Sequence, residues 1–206
     1  MAITRASQST VKQGLDKNKN FVAGIPPILG RYYLMGSVTV GSGGASSIEF
    51  TDIPPIYKHL QVRGLLRSTT ASSGLDDVRL RLGNSSIDTG NNYAAHQLEG
   101  NGSSTQATGY ASVSFNGRIT YAPRASATAT VWAAIVFDIL DYANTSKTTT
   151  VRSFAGVDLN GSGSVVLSST LWNNTSAITN VQLFPEANNF AQHSTLALYG
   201  IGRVSQ

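Results

Sequence analysis

Serine is plentiful enough to supply a nucleophile, with 25 copies in 206 residues, yet only three histidines are present to act as its base. Catalysis of that kind needs nucleophile, base and orienting acid in one cleft, and no G-x-S-x-G occurs. His59 falls on the outward side of an alternating segment, whereas His96, three residues before Glu99, and His193 fall near segment ends. These are positions of surface or loop hydrogen bonders, so no catalytic residue is assigned and the chain is not expected to be an enzyme. Asp158-Leu159-Asn160-Gly161-Ser162-Gly163 has the oxygen ligands and glycine of the first half of a calcium loop, but the twelfth position, where a bidentate Glu belongs, is Ser169. A β-turn accounts for it better, and no metal or cofactor is expected. Asp76-Asp77 and the Asp138/Asp141 pair have no nearby His or ligand set; ion pairing with Arg79, Arg81 or Lys147 is the expectation.

A second kind of chemistry is recognition. Aromatic residues stand among amides and hydroxyls in Asn91-Asn92-Tyr93, Asp141-Tyr142-Ala143-Asn144 and Leu171-Trp172-Asn173-Asn174. Aromatic faces stack on sugar rings while amides match sugar hydroxyls. Tyr93, Tyr142, Asn144, Trp172, Asn173 and Asn174 are therefore candidate contacts to a host surface glycan. The reading that the rings pack the ends of the fold or an interface between copies weighs more than this.

The elements that must position these residues read as strands. Ser, Thr, Asn and Gly make up 79 residues, and charged residues are only 13% of the chain, about half the usual ~25%. Disorder driven by charge repulsion is thereby excluded. There is no cysteine, which removes disulfides and thiolate metal sites. No apolar run reaches the ~18–20 residues of a membrane span, and Met1-Ala2-Ile3-Thr4-Arg5 opens without the apolar region of a secretory signal. Neither a membrane nor a secretory route is expected. In Lys58–Arg63, Leu60 and Val62 share one face; in Asp77–Leu82, Val78, Leu80 and Leu82 do. This period of two is that of half-buried antiparallel strands. Thr130–Leu140 is a longer apolar run, read as a central strand covered in part on both faces. Further strands are predicted near 33–40, 46–50, 92–99, 110–120, 148–154, 164–171, 177–184 and 194–201. Gly41-Ser42-Gly43-Gly44, Gly83-Asn84-Ser85-Ser86, Gly100-Asn101-Gly102-Ser103 and Asn160-Gly161-Ser162-Gly163 punctuate them as turns. No sustained 3.6-residue period appears. The expected fold is all-β: an antiparallel two-sheet β-sandwich, jelly-roll-like, with an extended N-terminal arm.

Charge divides the chain in two. Residues 1–31 hold Arg5, Lys12, Lys17, Lys19 and Arg31 against Asp16, a net of +4, while residues 32–206 hold ten basic and ten acidic residues. Pro26-Pro27 and Gly30 mark an extended connector, so the domains are taken as 1–31 and 32–206. Val11, Leu15, Phe21 and Ile25 are too apolar for a purely solvated tail, which favours a docking arm over a terminus with incidental lysines. The dilute charge, without Arg clustering, argues against nucleic acid as its partner.

Ser7–Leu15 and Ile53-Pro54-Pro55-Ile56-Tyr57-Lys58-His59-Leu60-Gln61-Val62-Arg63-Gly64 resemble successive blocks of a family of tailed-phage virion proteins. Asn92-Tyr93 through Ser104, Asp138–Thr145, Asn160 through Trp172, Ala177–Thr179 and Leu198–Ile201 continue the likeness over nearly the whole chain. The family is similar to the β-sandwich virion proteins of phages of aquatic bacteria, cyanophages included. The resemblance implies a structural role on the virion: a homotrimeric capsid cement or decoration protein on the capsid exterior, docked through the arm on the major capsid protein. It equally covers proteins at the tips of tail fibres or tailspikes that bind host glycan. The chain departs from the family after Leu15, where Asp16-Lys17-Asn18 replaces Pro-Lys-aromatic.

Overall fold

The computed structural model describes residues 32–114 and 116–203, and the arm residues Arg5 through Arg31 lie outside them. Thirteen strands follow in order: β1 (Tyr32–Thr39), β2 (Ile48–Phe50), β3 (Tyr57–Leu66), β4 (Leu75–Asn84), β5 (Ser86–Ile87), β6 (Tyr93–Gly100) and β7 (Thr105–Val113). After these come β8 (Asn116–Pro123), β9 (Ala133–Leu140), β10 (Thr149–Asp158), β11 (Gly163–Trp172), β12 (Asn180–Pro185) and β13 (Thr195–Arg203). The large sheet has the order β1-β13-β3-β9-β10-β11-β6-β7; the small one is β2-β12-β4-β5, with β8 on the other side of β4 over most of its length. All pairings are antiparallel. The two-sheet sandwich expected from the alternation is the fold of the described residues.

Alternation places the core between the sheets. Leu60 and Val62 of β3, Phe137 and Ile139 of β9, and Leu196 and Leu198 of β13 point inward from the large sheet. They meet Val78, Leu80 and Leu82 of β4 and Val181 and Leu183 of β12, all buried. Each such side chain contributes about 1.5–3 kcal/mol relative to exposure, enough to fix register, because a one-residue slip would turn every one of them outward.

Several strand boundaries differ from the sequence reading, β10 for one running on to Asp158, and two of the differences change the sheet assignment or the exposed face. The segment 110–120 is not one strand: β7 ends at Val113 in the large sheet and β8 begins at Asn116 in the small one. Ser112 takes a positive φ of 55° there, and the chain crosses between sheets. The central strand β9 starts at Ala133 rather than Thr130, whose φ is 65°. Its inner face is closed, but Ala134 and Leu140 on its outer face are exposed. Within this chain nothing described covers that side.

Candidate interaction surface

The outer face of the eight-stranded sheet is organised in rows that run across the strands. Val136, Phe154, Leu167, Leu98 and Ala107 are successive register partners from β9 to β7. Phe154, Leu167 and Leu98 are 57%, 48% and 54% exposed. Val165, Leu65, Leu140, Leu34 and Tyr32 lie in neighbouring rows of the same face. With those three they account for every large apolar residue that is exposed among the described residues. Apolar exposure on a soluble surface is ordinarily scattered; confined to one face, it marks a contact site.

The adjacent row carries Asp138, with Asp141 at its end, and both carboxylates are paired with cations. Asp138 accepts hydrogen bonds from Gln61 Nε2 (2.6 Å) and Arg152 Nη2 (3.0 Å). Arg63 bonds Gln61 and lies over the rings of Tyr32 and Tyr199, 4.5 and 5.5 Å from their centroids. At the end of β9, Asp141 is paired with Lys58 at 3.0 Å and with Lys147, while its amide donates to His59 Nδ1 at 3.0 Å. The Lys147 and Lys58 ammonium groups lower the Asp141 carboxyl to about 2. The expected Lys147 pairing is present for Asp141; Asp138 takes Arg152 instead, and Asp77 pairs with Arg79 and with Arg118. Asp76 is buried, accepting from Ser68 Oγ and Thr70 Oγ1 at 2.7 Å each.

Between these rows and the β9–β10 loop the face is hollowed. A groove of about 920 Å³ has Leu98, Leu140 and Leu167 on its floor. Ala107 and Gly109 of β7 bound one end, and Lys147 and Thr148 of the loop bound the other. His96 and Arg152 supply polar rim groups. His96 and Glu99 point to opposite faces of β6, so they form no common site. Glu99 faces the other sheet, accepting from Tyr121 Oη (2.7 Å) and Ser164 Oγ (3.0 Å), with Arg118 at 3.5 Å. Asp77 joins this cluster; burial pushes its carboxyl up and Arg118 opposes that. Its members come from β4, β6, β8 and β11, so no local motif announces it, and it bridges the two sheets rather than opening to solvent.

The aromatic residues among the glycan candidates follow the packing reading instead. Tyr93, Tyr142 and Trp172 are fully buried. The Tyr93 hydroxyl accepts from the Leu82 amide (3.0 Å) and donates to the Asp88 carbonyl (2.9 Å); Trp172 Nε1 donates to Asp88 Oδ2 (2.9 Å); Tyr142 donates to the Pro54 carbonyl. These rings have no face free to stack on a sugar, and packing is their role. Asn144 and Asn174 use their side-chain oxygens to cap local turns at Ser146 and Ser176, and only Asn173 is exposed. The six residues form no common site. Asn160 and Gly161, with φ of 64° and 109°, make the β10–β11 hairpin turn, and Asp158 Oδ1 accepts from the Asn160 amide at 2.7 Å. Among the described residues no cluster of three or more His, Cys, Asp or Glu side chains is disposed to hold a metal, and no helix is long and apolar enough to cross a membrane.

No protein-family model matches the chain, and no curated protein matches it.

Proposed function

We propose that this protein is a structural component of a virion: a capsid cement or decoration protein that self-associates, docks on the major capsid protein through residues 1–31 and carries the sandwich on the capsid exterior. The observation that carries the reading is the segregation of exposed apolar side chains onto one sheet face, whose carboxylates Asp138 and Asp141 are both paired with cations. Such a surface suits protein–protein contact and offers little to a small charged substrate. The cationic leader against an electroneutral body and the ordered sequence blocks described above give further support. Symmetric association would multiply weak docking by single arms through effective concentration. The tail-fibre alternative draws less support, since it leaned on aromatic residues that sit in the core.

The test is occupancy on purified particles. Protein lacking residues 1–31 is expected to lose particle binding while the sandwich still melts cooperatively. Undiminished occupancy overturns the docking role, and electron microscopy that places the intact protein on the tail overturns the capsid assignment.

A further inference from the structure

We infer that the outer face of the eight-stranded sheet binds a second copy of this chain, with Phe154 of one copy seated in the Leu98–Leu140–Leu167 groove of the other. The inference deepens the reading of the chain as an assembly protein, on which it rests, by naming the surface. The first support is area. Seven inter-strand spacings of ~4.8 Å and strands of about nine residues at ~3.3 Å give a face of roughly 1,000 Å². A standard interface needs about 800 Å² from each partner. The second is charge. Asp138 is held by Arg152, Asp141 by Lys58 and Lys147, and residues 32–206 sum to zero. Both of these carboxylates are thus paired, and the cationic excess of the face lies at its margins, Arg63 over the Tyr32 and Tyr199 rings and Lys58 and Lys147 at the end of β9. The Phe154–Leu167 region of two like faces can therefore meet without like charges opposed. The third is shape: the projecting ring of Phe154 lies next to Leu167, which is part of the groove floor, so one surface offers both a knob and a recess. The edge strand that bounds the groove, β7, has neither charge nor proline, the usual devices that keep a strand edge from pairing.

Sedimentation and light scattering on the full chain, without particles, test this apart from capsid docking. The wild-type mass is expected to be a multiple of 21.7 kDa. Phe154→Glu and Leu167→Glu are each expected to weaken association by on the order of 30-fold or more, as loss of a central anchor does, with unchanged circular dichroism. The chain has no cysteine, so a mixture of Phe154→Cys and Leu98→Cys proteins should form a disulfide between the two variants on oxidation. A monomeric wild type, an oligomer unmoved by both charge substitutions, or cross-linking confined to like variants overturns the inference. Loss of particle binding with the oligomer intact bears on the leader alone.

Discussion

Tyr93 and Trp172 stand opposite each other in the β6/β11 ladder, and both are tied to Asp88: the hydroxyl to its carbonyl, the indole N–H to its carboxylate, at 2.9 Å each. One residue of the loop between β5 and β6 thus closes the end of the core over two of its largest side chains. Burial pushes the Asp88 carboxyl up, but hydrogen bonds from Trp172, Asn92 and the Gly90 amide outweigh it and hold the group below its ordinary value. Asp88→Ala strands a buried indole N–H, which costs about 1–3 kcal/mol. Urea unfolding should show a loss in that range, and Asp88→Asn, which keeps an acceptor, should lose less.

Arg67 donates to five carbonyls, those of Arg124, Ala125, Ala127, Thr128 and Val131, at 2.8–3.2 Å. The loop from β8 to β9 is therefore wound around one guanidinium. Arg67→Ala should cost about 2–3 kcal/mol, since bonds to a charged donor are worth roughly twice neutral ones, and limited proteolysis should shift to residues 124–132. Arg67→Lys is expected to recover little, because an ammonium lacks the planar fork.

Gly64 on β3 faces Leu196 on β13, and a Cβ at Gly64 would lie 2.0 Å from the Thr195 carbonyl oxygen and 2.6 Å from Leu196 Cδ2. Backbone on one side and core on the other leave no cheap adjustment. Gly64→Ala should cost about 3 kcal/mol through strain of this kind, read as a drop in the unfolding midpoint with an unchanged slope.

Asp141 links stability to acid. Its folded pKa, about 2, lies below the unfolded value near 4. Its contribution is thus present above about pH 4 and disappears as pH falls through about 2. Lys58 and Lys147 are more than half exposed, so screening reduces the effect to about 0.5–1 kcal/mol. Asp141→Asn should be less stable by that amount at neutral pH and low salt. The difference should vanish near pH 2, and it should shrink with added salt.

The fold was legible because core and alternation coincide. Val78, Leu80 and Leu82, read as inward, are buried, as are Leu60 and Val62. The interaction face was not. In Val165-Val166-Leu167 both phases of the strand are apolar, so periodicity alone cannot say that Val166 is buried while its neighbours face out. Tyr93, Tyr142 and Trp172 admitted two readings because their loop flanks are polar, as at a sugar site, whereas the rings themselves turn inward from strand or loop, as packing requires. The Glu99–Arg118–Tyr121 cluster draws on strands that only the sheet order brings together, and adjacency of that sort leaves no mark in local spacing.

Tyr32 on β1 and Ile201 on β13 are antiparallel partners, so the polypeptide enters and leaves the sandwich side by side. Traction between those two points would peel the ladder open one rung at a time, which takes little force. Traction on Tyr32 parallel to β1, with the sheet held fast elsewhere, would instead load every β1–β13 hydrogen bond together. Tyr32 is thus a mechanically anisotropic point of attachment, firm along the strand and weak across it.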